Sequence, residues 1–201
     1  MGRLALSKAS LTAQGARLKT YQRYLPSLDL KRRQLINERA RAAQTLAETQ
    51  RAITELRARV HAELPMACDL EVEVTGLVTV TGVDLAEDNV MGVRLPRLGR
   101  VALYRRPYAL LAKPGWVDRL AELLAAMLEL RLQLQVDARR LALLHEAVRT
   151  ITQRVNLFDK VLIPRAQANI KRIRIFLADG ERAAVVRAKI AKAKRARELQ
   201  P

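Results

Sequence analysis

Residues 120–162 read LAELLAAMLELRLQLQVDARRLALLHEAVRTITQRVNLFDKVL, and their spacing decides the architecture. With Leu120 in heptad position a, the a slots are Leu120, Met127, Leu134, Leu141, Val148, Val155 and Leu162. The d slots are Leu123, Leu130, Asp137, Leu144, Ile151 and Phe158. Twelve of these thirteen are apolar, and no Gly or Pro falls between residues 116 and 163. An apolar repeat of seven sustained over about six heptads specifies a long helix with a left-handed supercoiling seam, not a compact bundle helix. Asp137 is the exception, and a single polar d residue usually sets register. Beyond Pro164, residues Ile170, Ile173, Phe176 and Leu177 resume a helical stripe, so Pro164 either breaks the helix or, as the resumed stripe favours, kinks it gently. Asp179-Gly180 reads as a break, followed by a last helix over 183–199 rich in Arg and Lys.

A second stripe occupies the other end of the chain. From Leu11, the a slots are Leu11, Leu18, Leu25, Arg32, Arg39, Leu46, Ile53 and Val60. The d slots are Gln14, Tyr21, Leu28, Leu35, Ala42, Thr49, Leu56 and Glu63. Eleven of the sixteen are apolar, and the register passes through Pro26 unchanged, although that proline should bend or interrupt the helix locally. Arg32 and Arg39 either snorkel from the seam or mark where it meets another partner. A helix over 10–63 would be roughly 80 Å long, and neither long helix can bury its stripe alone. The economical solution is that the two pair antiparallel within one chain; the alternative is a separate homodimeric coiled coil for each.

Between them the pattern changes. Residues 69–75 alternate polar and apolar, 77–81 are rich in β-branched side chains, and 90–95 and 101–104 offer further short strands. The fold class is therefore mainly α: a long antiparallel two-helix coiled coil with a small central β-containing knob. The expected division is an N-terminal helix (1–64), a knob (65–113) and a C-terminal helix with a basic tail (114–201). The knob either caps the helices or contacts a partner.

Composition narrows the function classes. The 201 residues carry 37 Lys+Arg against 20 Asp+Glu, a formal charge of +17, with 3% aromatics and one Cys. Residues 1–63 hold 13 basic and 5 acidic side chains (+8), 64–113 hold six of each, and 114–201 hold 18 and 9 (+9). The ends match and the middle differs. Such charge implies an acidic partner, either nucleic acid or an acidic protein surface. Against nucleic acid stands the lack of interleaved aromatics or a recognisable reading motif. The longest charge-free run, 74–83, is ten residues, about half a membrane span. No apolar leader opens the chain. No phosphate-binding G-x-x-x-x-G-K-[ST] loop occurs. His61 and His145 stand alone as surface or core-edge histidines, Cys68 reads as an ordinary small residue, and no carboxylate pair suggests catalysis.

One stretch is more specific. Arg154-Val155-Asn156-Leu157-Phe158-Asp159-Lys160-Val161-Leu162-Ile163-Pro164-Arg165 resembles the R-V-N-x-x-E-x-x-x-I-P element of the D subunit of V-type (vacuolar and archaeal-type) rotary ATPases. Leu28-Asp29-Leu30-Lys31-Arg32-Arg33-Gln34-Leu35 looks like that family's N-terminal LLKxKRDxL run, and Val93-Arg94-Leu95-Pro96 like its central VP segment. The resemblance implies a non-catalytic central rotor shaft that carries torque between a ring of catalytic A and B subunits and the membrane ion-translocating rotor. It also implies a small F-type stalk subunit and a C-type membrane-rotor adaptor as further partners. No cofactor, metal or catalytic residue belongs to the shaft. The protein would sit on the cytoplasmic side of the membrane, peripheral and not inserted. Candidate partner contacts are Arg149, Arg154, Arg165, Lys171, Arg172 and Arg174. Asn156 either fixes register or hydrogen-bonds a partner. The competing expectation is a basic helical adaptor or nucleic-acid-binding protein.

Overall fold

The computed structural model describes residues 4–68, 74–108 and 114–198. Its elements are α1 (Lys8–Glu63), a 3-10 turn (Pro65–Cys68), β1 (Val78–Val90), β2 (Val93–Arg105), α2 (Trp116–Leu157), a π turn (Phe158–Leu162) and α3 (Ile163–Glu198). Two compact units result. One joins the residues up to Lys31 with those from Ile151 onward, and the other is Arg32–Thr150.

The heptads are the physical basis of both. Every seam position proposed for α1 is buried or half-buried except Glu63. All thirteen on the C-terminal helix are buried or half-buried as well. Seam arginines Arg32 and Arg39 are half-buried, as expected of stems that lie along apolar surface while their heads reach out. Ser7 caps α1, its Oγ accepting the Ser10 N–H at 3.2 Å. Pro26 does not interrupt α1. It sits on the exposed side, where water can take over the carbonyl that loses its N–H partner, while Leu25 and Leu28 remain in the seam. Gly180 does not break α3 either. A single Gly costs about 1 kcal/mol against Ala, and the strong helix formers Ala178, Glu181, Arg182 and Ala183 surround it. Asp179 and Arg182 also pair at 3.7 Å.

In the Arg32–Thr150 unit the helices run antiparallel: Glu63 meets Arg119 at 2.9 Å, and Thr49 meets Asp137 at 2.9 Å. Leu56, Leu64, Leu120 and Leu123 form one buried cluster, and Leu77, Val117 and Ala121 form a second at the base of the strands. The strands are longer than the sequence suggests. The expected strand at 90–95 is in fact the tip of one hairpin, with Val90 paired to Val93. Met91 and Gly92 both have positive φ (53° and 80°), the requirement of a two-residue type I′ turn. Asn89 Oδ1 accepts the Gly92 N–H at 2.9 Å. The apolar Met91 between two valines disguises this turn as strand. Bulges fall between Val80 and Gly82 and between Val83 and Leu85. The expected strand at 69–75 lies mostly outside the described residues.

β2 faces the helices. Leu95 is 1% exposed, and Leu98 and Val101 share a groove with Ala126 and Leu130 of α2. β1 is the outer edge and is exposed along most of its length. At the second bulge, a Cβ on Gly99 would stand 2.9 Å from the Asp84 carbonyl oxygen and 3.3 Å from its Cβ. Gly99→Ala is therefore expected to cost about 1–3 kcal/mol of local stability, as overpacking does. The readout is amide-exchange protection across β1 and β2, and unchanged protection would show that Asp84 gives way freely.

In the other unit, Tyr21 of α1 meets Phe158 edge-to-face, with ring centroids 5.5 Å apart and planes at 84°. Gln14 shares a groove with Leu162 and Asn169, so the pairing here is antiparallel too. The C-terminal helix passes Pro164 without ending. In the π turn before it, the Ile163 N–H bonds to the Phe158 carbonyl, five residues back instead of four. The seam changes phase at the same place. Buried residues continue as Ala166, Ile170 and Ile173, then half-buried Leu177. The steps from Leu162 to Ala166 and on to Ile170 are four and four, where the heptad calls for three and four. Phe176, expected in the stripe, is 52% exposed as a consequence.

Candidate interaction surface

The seam side chains are occupied in packing, so interaction with other molecules falls to the outer faces. All seven candidate contact residues, Arg149, Arg154, Asn156, Arg165, Lys171, Arg172 and Arg174, are exposed. Arg149, Arg154 and Asn156 lie beside seam positions of the frame before Pro164, and Arg165, Lys171, Arg172 and Arg174 lie beside those of the shifted frame after it. Asn156 thus makes no seam contact. Leu157 at the end of α2 and Val161 in the π turn are 46% and 48% exposed, one helical turn apart. Apolar residues at off-seam slots were the available signal for this pair, and cation counting passes over them. Isolated exposed apolar side chains are ordinary, but a pair flanked by cations on one helix face suits a protein partner.

The hairpin offers a second surface. Its outward residues include Val80, Val83, Leu85 and Tyr104, all at least 38% exposed. Its placement depends on one side chain that residue typing alone did not single out. Arg140 Nη1 donates to Asp88 Oδ2 at 3.1 Å and to the Pro96 carbonyl at 3.2 Å, strapping the hairpin to α2. Arg140 is largely covered, so this pair is worth more than a fully solvated one. At the base of the strands, Tyr108 donates a hydrogen bond to Asp118. That bond is the main reason its hydroxyl proton is held more tightly than in an ordinary tyrosine.

The buried polar pair of the seam, Thr49 and Asp137, is hydrogen-bonded internally. Asp137 is 4% exposed and accepts from Thr49 Oγ1 at 2.9 Å and from Gln133 Nε2 at 2.7 Å. Both carboxylate oxygens are thereby satisfied. His61 and His145 are both exposed, and the side chain of Cys68 lies outside the described set. Among the described residues there is no group of three or more His, Cys, Asp or Glu that could hold a metal, and no helix is long and apolar enough to cross a membrane.

These features define a class: a mainly helical protein whose long helices pair antiparallel within each unit through heptad seams and turn basic faces outward. The comparisons with known proteins make the class particular. The family model for the ATP synthase D subunit matches residues 10–193. The D subunit of the V-type ATP synthase of Borreliella burgdorferi is 33% identical, covering 96% of this chain and 95% of its own length. The protein of the same name from Chlamydia muridarum is 35% identical over 95% of each chain, and that of Chlamydia pneumoniae 30% identical over 94% and 91%. The chain belongs to the ATP synthase D-subunit family.

Proposed function

We propose that the chain is the central shaft of a V-type rotary ATPase or ATP synthase and works by transmitting torque, without performing bond chemistry. The observation that carries this reading is the pair of helices whose heptad seams are buried or half-buried at every position but Glu63, in a chain matched to the D-subunit family over residues 10–193. Packing one helix against another supplies stiffness that an isolated helix in water lacks. The basic outer faces suit acidic side chains on a surrounding ring, and contact that differs from one catalytic interface to the next would bias each site between states. On this reading the partners are the catalytic A and B subunits, the small F-type stalk subunit and the C-type adaptor of the membrane rotor. The chain then sits peripherally on the cytoplasmic face. Arg149, Arg154, Asn156, Arg165, Lys171, Arg172 and Arg174 are its proposed contact side chains. The family match favours this over a nucleic-acid binder or a generic adaptor.

The test is reconstitution of the V-type complex with and without this chain. Without it, ATP hydrolysis should no longer drive ion transport, and normal coupling would refute the proposal. The double reversal Lys171→Glu/Arg174→Glu should weaken incorporation into the complex at least about tenfold while leaving the thermal melt of the free chain unchanged.

A further inference from the structure

We infer that Asn156 and Asp159 on one side, and Arg165 and Arg172 on the other, are positioning residues that pin the phase change of the seam at Pro164. Remove one residue between Leu162 and Ala166, and the seam from Leu120 to Leu177 becomes an unbroken heptad. Pro164 lies in that interval, so it acts as a one-residue insertion. The π turn just before it absorbs the extra residue by widening one hydrogen-bonded ring.

A π turn in a helix can in principle migrate, and each residue it passes turns the helix face by about 100°. Two frames compete for the seam. If the turn moved toward the C-terminus, the upstream frame would extend and place Arg165, Asn169, Arg172 and Phe176 against α1. If it moved toward the N-terminus, the downstream frame would extend back through Ile163, Asp159, Asn156 and Thr152. Of the polar members of the two sets, Asn156, Asp159, Arg165 and Arg172 are exposed and Thr152 and Asn169 are half-buried, while Val155, Ala166, Ile170 and Ile173 are buried. Migration either way would carry charged or amide side chains out of water into an apolar seam, at a cost of several kcal/mol per unpaired charge. The polar residues thus act against the wrong phase, as a buried polar residue acts against a wrong coiled-coil register. The consequence is directional. Lys171 and Arg174 keep one fixed bearing relative to the seam, and a slip would swing them by about 100°.

The inference concerns the free chain and stands apart from the shaft reading. It is tested in the full-length protein with Cys68→Ser and a reporter thiol at Ala166→Cys, a site 3% exposed. In the parent, maleimide labelling of the reporter should be slow. Making the alternative frame apolar with Arg165→Leu/Asn169→Leu/Arg172→Leu should raise a minor frame toward equal population and accelerate labelling about tenfold or more. The polar control Arg165→Lys/Asn169→Gln/Arg172→Lys should restore protection. Labelling that stays slow in the leucine variant would overturn the inference and leave these residues with partner contact alone. If the leucine variant aggregates, deletion of Pro164 decides. The deletion should keep the reporter protected and raise the melting temperature, and a lowered melting temperature or an exposed reporter would overturn the inference.

Discussion

Leu144→Ala is expected to cost about 2–5 kcal/mol, the range for truncating a fully buried leucine. Leu144 is 1% exposed at a d position of α2, and it backs the groove formed with Ala42 and Thr45 of α1. The loss combines transfer free energy with the cavity left between two helices that cannot close independently of their neighbours above and below. Leu30→Ala supplies the contrast. It removes the same atoms from a residue 58% exposed at an off-seam slot, and the change should stay within about 0.5 kcal/mol. Denaturant unfolding followed by helical circular dichroism separates the two. Equal shifts in the two variants would mean that burial in the seam does not set the stability of the helices.

Thr49→Val is expected to destabilise by about 1–3 kcal/mol, because it deprives a buried carboxylate of one of its two donors. The hydroxyl has a single proton and lies between two acceptors, Asp137 Oδ2 at 2.9 Å and the Thr45 carbonyl at 3.0 Å. A nearly silent substitution would mean that the hydroxyl proton serves the Thr45 carbonyl and would contradict the Thr49–Asp137 hydrogen bond. The double variant Thr49→Leu/Asp137→Leu should recover the parent stability or exceed it, since well-packed apolar pairs often outperform buried polar ones. What the double variant should lose is specificity of register. A double variant less stable than Thr49→Val alone would contradict this account.

The long helices are legible in the sequence because the heptad states the same fact many times, and single exceptions such as Arg32, Arg39 and Asp137 do not erase it. Asp137 stands out in the sequence as the polar exception in an apolar column, but its partner Thr49 is found only in the fold. Local punctuation is less legible. Gly180 and Pro26 resemble breaks, yet each stands on an exposed face where strong helix-forming or seam neighbours outweigh one weak residue. The hairpin tip is hidden because Met91 occupies a turn position usually held by Asn, Asp or Gly. The π turn is visible only as a four-four spacing that the eye accepts as a continuing stripe. The outer contacts are the least legible part. Exposed cations follow from their slots, but which of them meets another chain depends on surfaces that this sequence does not contain.

The last turns of α3 carry a consequence of their own. Residues 178–195 are exposed on every side, yet they include Val185, Val186 and Ile190 among repeated Lys and Arg. Eighteen mostly basic and aliphatic residues, with no described part of their own chain to lean against, are near the limit of what water will keep helical. Order in this stretch is therefore a loan from its surroundings. Any surface that shelters those three aliphatic side chains lends the helix its persistence, and the free energy of ordering is subtracted from the grip.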